Sequence, residues 1–96
     1  MNPGMIKKLK KMQEDMMREQ ARLESKEYFG KASGITVIMQ GTRQVIDVKI
    51  NEEMLEEIEM LQDAILLAFN DALKQVEDEH QEVMGQFTGG MGGFGF

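Results

Sequence analysis

The chain has 96 residues, a formal net charge of −6 and no cysteine, which leaves room for one domain and excludes a disulfide scaffold and thiolate metal sites. No apolar run approaches the roughly 20 residues needed to cross a bilayer, and the opening Met1-Asn2-Pro3-Gly4 leads into a lysine-rich stretch unlike a secretory signal, so cytoplasm is the expected location. A chain this short buries only about 60–65% of the surface its unfolded form exposes, and pairing with a second copy is one remedy for so thin a margin.

From Met5 to about Lys26 the apolar residues Met5, Leu9, Met12, Met16 and Leu23 recur at heptad spacing with one polar interruption at Glu19, which predicts a helix. These five positions fall within about 60° of arc on a helical wheel. Lys7, Lys11, Arg18 and Arg22 fall on the opposite side. Glu27-Tyr28-Phe29 begins a candidate first strand. Ile35-Thr36-Val37-Ile38-Met39-Gln40 is rich in β-branched residues, and Gln44–Ile50 alternates, with Ile46, Val48 and Ile50 expected on one face and Asp47 and Lys49 on the other. Gly41-Thr42-Arg43 between them is short enough for a tight hairpin, so these strands pair antiparallel.

Asn51 stands where an N-cap belongs, with Glu52 and Glu53 suited to the positive end of a helix dipole. Leu55, Ile58, Leu61, Ile65, Ala68, Phe69, Ala72, Leu73, Val76 and Val83 then repeat at helical spacing, predicting a second long helix that ends at Gly85. Residues 86–96 form a glycine-rich tail, expected to be flexible or to dock only through Phe87, Phe94 or Phe96. The fold class is therefore α+β: a long helix, a short antiparallel sheet of two or three strands, a second long helix, and the tail. Residues 1–85 make the single domain. Such a sheet leaves an open edge and bare apolar stripes, which joining two copies would cover.

Charge is unevenly spread: residues 1–26 carry +3, residues 27–50 carry +1 and residues 51–96 carry −10. An anionic partner must therefore meet the N-terminal half. Within it, Glu14 is spaced to pair with Arg18, and Lys11 with Asp15. No acid precedes Glu14, so Lys7, Lys8 and Lys10 have none on the preceding turn. Lys7, Lys8, Lys10 and Lys11, with Arg18, are the candidate phosphate-binding residues, of a kind that neutralise a backbone without reading bases. A solvated helix face is the plainer account of the same residues.

Signs of catalysis are sparse, and no enzymatic activity, cofactor or small-molecule substrate is expected. There is one histidine and no tryptophan, and the glycine tail lacks a Gly-Lys-Ser/Thr ending. Glu77-x-x-His80 has the spacing of di-metal sites in helical bundles, but the first helix offers only Glu19 near an inward position, so no metal is expected. Of the ten methionines, Met12 and Met16 sit on the seam and read as core filler more readily than as an adaptable binding surface.

The runs Gly34–Gly41, Val45–Ile50 and Leu61–Leu73, above all Ala68-Phe69-Asn70-Asp71-Ala72, resemble the YbaB/EbfC family of bacterial nucleoid-associated proteins. Lys10-Lys11-Met12-Gln13-Glu14-Asp15-Met16 and the Gly/Met/Phe tail match it in character. The resemblance implies a tweezer-like homodimer whose joined sheets form a body and whose paired helices project as arms. It implies binding to duplex DNA with little sequence preference, a place on the nucleoid and a role in gene expression. It also implies arm tips built from the start of the first helix and the end of the last, putting Lys7, Lys8, Lys10 and Lys11 at a tip. Two departures stand out. Asn51-Glu52 replaces a common Asp-Pro pair, and Glu77, Asp78, Glu79 and Glu82 stand where many relatives carry lysines, so carboxylates are expected beside the lysine tip. The alternative is a protein-binding or chaperone-like module gripping clients between helical arms, similar in outline to prefoldin but with shorter helices.

Overall fold

Asn2 opens the first helix: its side-chain oxygen accepts a 2.8 Å hydrogen bond from the Met5 amide. Pro3 takes the first turn, where its missing N–H costs nothing. In the computed structural model, which describes residues 2–88, this helix, α1, runs Pro3–Ser25. Three strands follow, β1 (Glu27–Ala32), β2 (Ile35–Gln40) and β3 (Val45–Ile50), then a 3-10 turn (Glu52–Glu56) and α2 (Ile58–Thr88). The strands lie in the order β1-β2-β3, with both pairs antiparallel. The α+β arrangement expected from the sequence is present, and its extended outline of 68 × 27 × 13 Å fits projecting arms.

One face of the sheet carries the core. Tyr28, Ile35, Val37 and Met39 are buried against Ala64, Ala68, Ala72 and Val76 of α2. These α2 residues recur every fourth position, a stripe of small side chains that lets the helix descend onto β1. Gly30 completes the contact: a Cβ there would collide with the Ala68 carbonyl oxygen and crowd the Ala72 amide. So close an approach carries polar side chains of α2 to the outer edge of β1. The Lys31 N–H donates to the Asp71 carboxylate at 3.0 Å, and the Gln75 amide donates to the Phe29 carbonyl at 2.9 Å. These bonds blunt an edge that would otherwise invite another strand.

Three details differ from the sequence expectation. First, the second helix does not start at Asn51. That residue caps a 3-10 turn, accepting from the Glu53 amide at 3.1 Å, and the chain is extended at Glu57 before α2 begins. In a continuous α-helix Glu52 and Glu56, and Glu53 and Glu57, would be like-charged neighbours four residues apart, a repulsive spacing. Second, α2 passes through Gly85 and reaches Thr88, because one exposed glycine costs only about 1 kcal/mol within a helix held by packing on both sides of it. Residues 89–96, most of the expected tail, lie outside the described residues. Third, Met39 pairs with Val45 while Ile38 pairs with Asp47, so Ile46 is an inserted bulge residue and the simple alternation of β3 is broken.

Replacing Gly30 with alanine forces backbone apart from backbone, and should destabilise the fold by about 1–3 kcal/mol. The check is a urea titration, with the midpoint lowered and the slope unchanged. Gly85→Ala is the control: its new Cβ meets nothing within 4 Å, and the helix should gain about 0.5–1 kcal/mol.

Candidate nucleic-acid interface

Among the described residues, the one fully buried side chain of α1 lies near its C-terminal end. Leu23 is fully buried, and Gly41 comes so close that a Cβ would collide with the Leu23 carbonyl oxygen. The Gly41 N–H donates to the Lys26 carbonyl at 3.0 Å. Around this joint the charges interlock. Glu79 of α2 receives Lys26 Nζ at 2.6 Å and faces Arg22 Nη1 at 3.6 Å, while Arg22 Nε holds Glu19 at 2.6 Å. Lys26 Nζ also stands 5.1 Å from the centre of the Tyr28 ring. The hydrogen bond from Lys26 holds the Glu79 carboxyl below the usual glutamate range. Burial pushes the Tyr28 phenol up, and the negative charge of Glu79 adds to the shift.

Of the four acids of α2 expected beside the lysines, three are engaged elsewhere, and Glu82 is exposed with no ion pair among the described residues. Glu79 is engaged at the level of Arg22 and Lys26, Glu77 faces Arg43 at 3.8 Å, and Asp78 holds Lys74 at 2.6 Å. Arg22 and Lys26 lie 11 to 19 residues from the lysine cluster, roughly 16–28 Å along a helix. That exceeds the Debye length of about 8–10 Å at ordinary ionic strength. Glu77, Asp78 and Glu79 are thus engaged away from the lysine cluster.

Lys7, Lys8, Lys10 and Lys11 are all exposed on the first half of α1. Among the described residues none of them enters an ion pair. The two pairs expected from spacing do not form: Asp15 takes Arg18 at 3.0 Å instead, which leaves Lys11 free and Arg18 engaged. The first turn of α1 holds no acidic residue, so the partial positive charge of the helix N-terminus adds to the lysines. The geometry can present a cluster of strongly hydrated ammonium groups to an anionic polymer. Lysine offers point charges without the planar fork that reads a base edge.

A second feature lies at the other end of the sheet. Val48 and Ile50 are in register with the buried Val37 and Ile35, yet they remain 43% and 42% exposed because α2 lies over β1 and stops short of β3. The flank of α2 turned away from Asp71 and Gln75 adds exposed Ile58, Leu66 and Phe69. β3 is also an edge strand.

Sequence reasoning missed the root joint. Lys26 and Glu79 are 53 residues apart, and no local pattern marks a pair so distant. The glycines left a weak signal, since glycine within a strand run often marks a close backbone approach. The Glu77–His80 pair does not converge: Glu77 turns to Arg43, and the His80 Nε2 is enclosed without a hydrogen-bond partner. Among the described residues no group of three or more His, Cys, Asp or Glu could hold a metal, and no helix is long and apolar enough to cross a membrane.

The family model for the YbaB/EbfC DNA-binding family matches residues 1–91. A nucleoid-associated protein of Listeria monocytogenes is 50% identical over 92 residues, covering 92% of this chain and 88% of that one. Another, of Enterococcus faecalis, is 39% identical over 95 residues, covering 95% and 91%. The crystal structure of an uncharacterised Helicobacter pylori protein has a TM-score of 0.73 at 20% identity, over 90% of this chain and 96% of that one, a likeness of fold.

The Glu79 interaction has a pH signature. A carboxyl held below its unfolded value adds stability that is fully present above about pH 4.3 and fades as the pH falls through the lowered value. Glu79→Gln should therefore cost about 0.5–1 kcal/mol at neutral pH and flatten the acid limb of stability below pH ~4.3. Denaturant midpoints measured from pH 7 to pH 3 test this, and parallel curves for the two proteins would contradict it.

Proposed function

The chain belongs to the YbaB/EbfC DNA-binding family, and on that footing we propose that it is a nucleoid-associated protein acting as a homodimer that grips duplex DNA through lysine–phosphate contacts. One observation carries this reading: four lysines stand exposed on the first half of α1 and without ion pairs among the described residues, while Glu77, Asp78 and Glu79 of α2 are engaged with other cations. Ammonium groups so arranged release counterions when they meet phosphates, and little base readout accompanies them. Arg18 enters the contact only by exchanging Asp15 for a phosphate.

The dimer follows from the uneven cover of the sheet. The edge of β1 is met by Asp71 and Gln75 of α2, whereas the outer edge of β3 is met by its own Asp47, which accepts from the Val48 N–H at 2.8 Å, beside the half-exposed Val48 and Ile50 and the exposed flank of α2. A second copy covers that strip and brings a second lysine arm to the same duplex. Two arms on one body multiply the phosphate contacts available to a single encounter.

Changing Lys7, Lys8, Lys10 and Lys11 together to glutamate should weaken duplex binding roughly tenfold or more at ~0.1 M salt. It should also reduce the dependence of log affinity on log salt by about 0.9 for each phosphate no longer neutralised. Titrations at two salt concentrations measure both, and unchanged affinity and slope would remove the lysine mechanism. Val48→Asp with Leu66→Asp should halve the sedimenting mass and lower the salt slope by about half, since each duplex then meets one arm. A wild-type protein sedimenting at the single-chain 10.9 kDa would overturn the dimer.

A further inference from the structure

Residues 2–14 are all exposed, and the large apolar side chains among them, Met5, Ile6, Leu9 and Met12, are 51%, 52%, 45% and 39% exposed. At 100° per residue these four fall within an arc of about 120°. Met5, Leu9 and Met12 continue the seam that holds the half-buried Met16 and the fully buried Leu23. One end of the seam is covered by the fold, and the other faces solvent.

The lysines are ordered about this arc. Lys8 and Lys10 lie about 100° to either side of its centre, and Lys7 and Lys11 about 160°. Cations therefore rim the apolar arc on both sides and fill the face opposite. Residues 2–13 hold no acid, and Glu14 and Asp15 fall more than about 100° from the centre of the arc. Single exposed apolar residues are ordinary, but four together with a polar rim mark an interaction surface. Duplex phosphates engage the lysines and leave the apolar arc in water. A bilayer with anionic headgroups uses both: an in-plane helix buries its apolar face about 5–10 Å deep while the headgroups meet its cations. Lysines at the rim reach those headgroups by laying their methylene stems along the apolar surface. A second copy of α1 is a poorer occupant, because it would bring four more lysines toward the four already there.

We propose that the N-terminal half of α1 docks on anionic membrane surfaces, with Met5, Ile6, Leu9 and Met12 inserted and Lys8 and Lys10 at the headgroup level. The helix lies on the bilayer without crossing it, and no described helix is long and apolar enough to cross. Asn2 caps its first turn, so the segment is helical before it meets lipid and loses little conformational entropy on docking. Wherever the lysines also grip DNA, lipid and duplex compete for them.

The test is co-sedimentation of the full chain with vesicles of phosphatidylcholine, either alone or with about one-third phosphatidylglycerol. An Ile6→Ser/Leu9→Ser variant is measured beside it; both changes lie outside the core, and circular dichroism checks that helix content is kept. The parent should bind the anionic vesicles and not the neutral ones. The variant should bind them about tenfold or more weakly, while its duplex affinity changes less than about twofold. Equal vesicle binding by the two proteins would overturn the proposal, because the lysines alone would then suffice. Absence of parent binding to the anionic vesicles would overturn it as well. So would a duplex affinity that falls as far as the vesicle affinity, since the stripe would then serve the DNA grip. A sedimenting mass that drops in the lipid-free variant would place a second copy on the stripe instead. Vesicle binding is read without DNA, so losing the lysine–phosphate grip would leave that result standing.

Discussion

The descent of α2 onto β1 governs the rest of this structure. It is possible only because Gly30 faces Ala68 and Ala72, so that backbone meets backbone with no side chain between. A helix that low can reach the rim of the sheet with short polar side chains, and Asp71 and Gln75 satisfy the edge of β1. Satisfying one edge leaves the other. Since α2 covers β1 and β2, the apolar residues of β3 stay half-exposed, and no side chain of α2 meets its outer edge among the described hydrogen bonds. The packing of small residues at one end of the sheet thus decides which end is left uncovered.

A similar economy operates at the root of the arm. The fully buried Leu23, the close approach at Gly41 and the Lys26–Glu79 pair hold the last turn of α1 from three directions. The joint absorbs Glu79 with Arg22 of α1 and Lys26 just after it, and Arg43 and Lys74 occupy Glu77 and Asp78. Individually, exposed pairs of this kind contribute little stability. Their larger effect is on where free charge remains: in a chain of net charge −6, Glu77, Asp78 and Glu79 are taken up by Arg43, Lys74 and Lys26, and the exposed lysines of α1 keep Glu14 and Asp15 as their neighbouring acids. Net charge alone would have argued against an anionic partner.

Much of this was legible in the residue order. Heptad spacing located α1, β-branched runs located β2 and β3, and the basic cluster before Glu14 marked the candidate site, because periodicity and charge are local properties. Local rules failed where alternatives compete closely. Spacing allowed Asp15 to pair with Lys11 or with Arg18, and only the folded side chains chose Arg18. Asn51 was recognised as a cap, but the acid-rich turn after it could not sustain an α-helix. Gly85 resembled a helix stop, yet packing against α1 carries the helix through it to Thr88.

By itself, the sequence determined the order and type of the elements, the heptad seam of α1 and the segregation of positive charge to the N-terminal half. These follow from side-chain period and composition, which need no partner to be defined. Tertiary structure alone decided that α2 sits on β1, that β3 is the uncovered edge, and that Glu79 belongs to the root of the arm instead of its lysine end. Each of those depends on contacts between residues some 40 or more positions apart, and such contacts exist only once backbone geometry has brought the segments together.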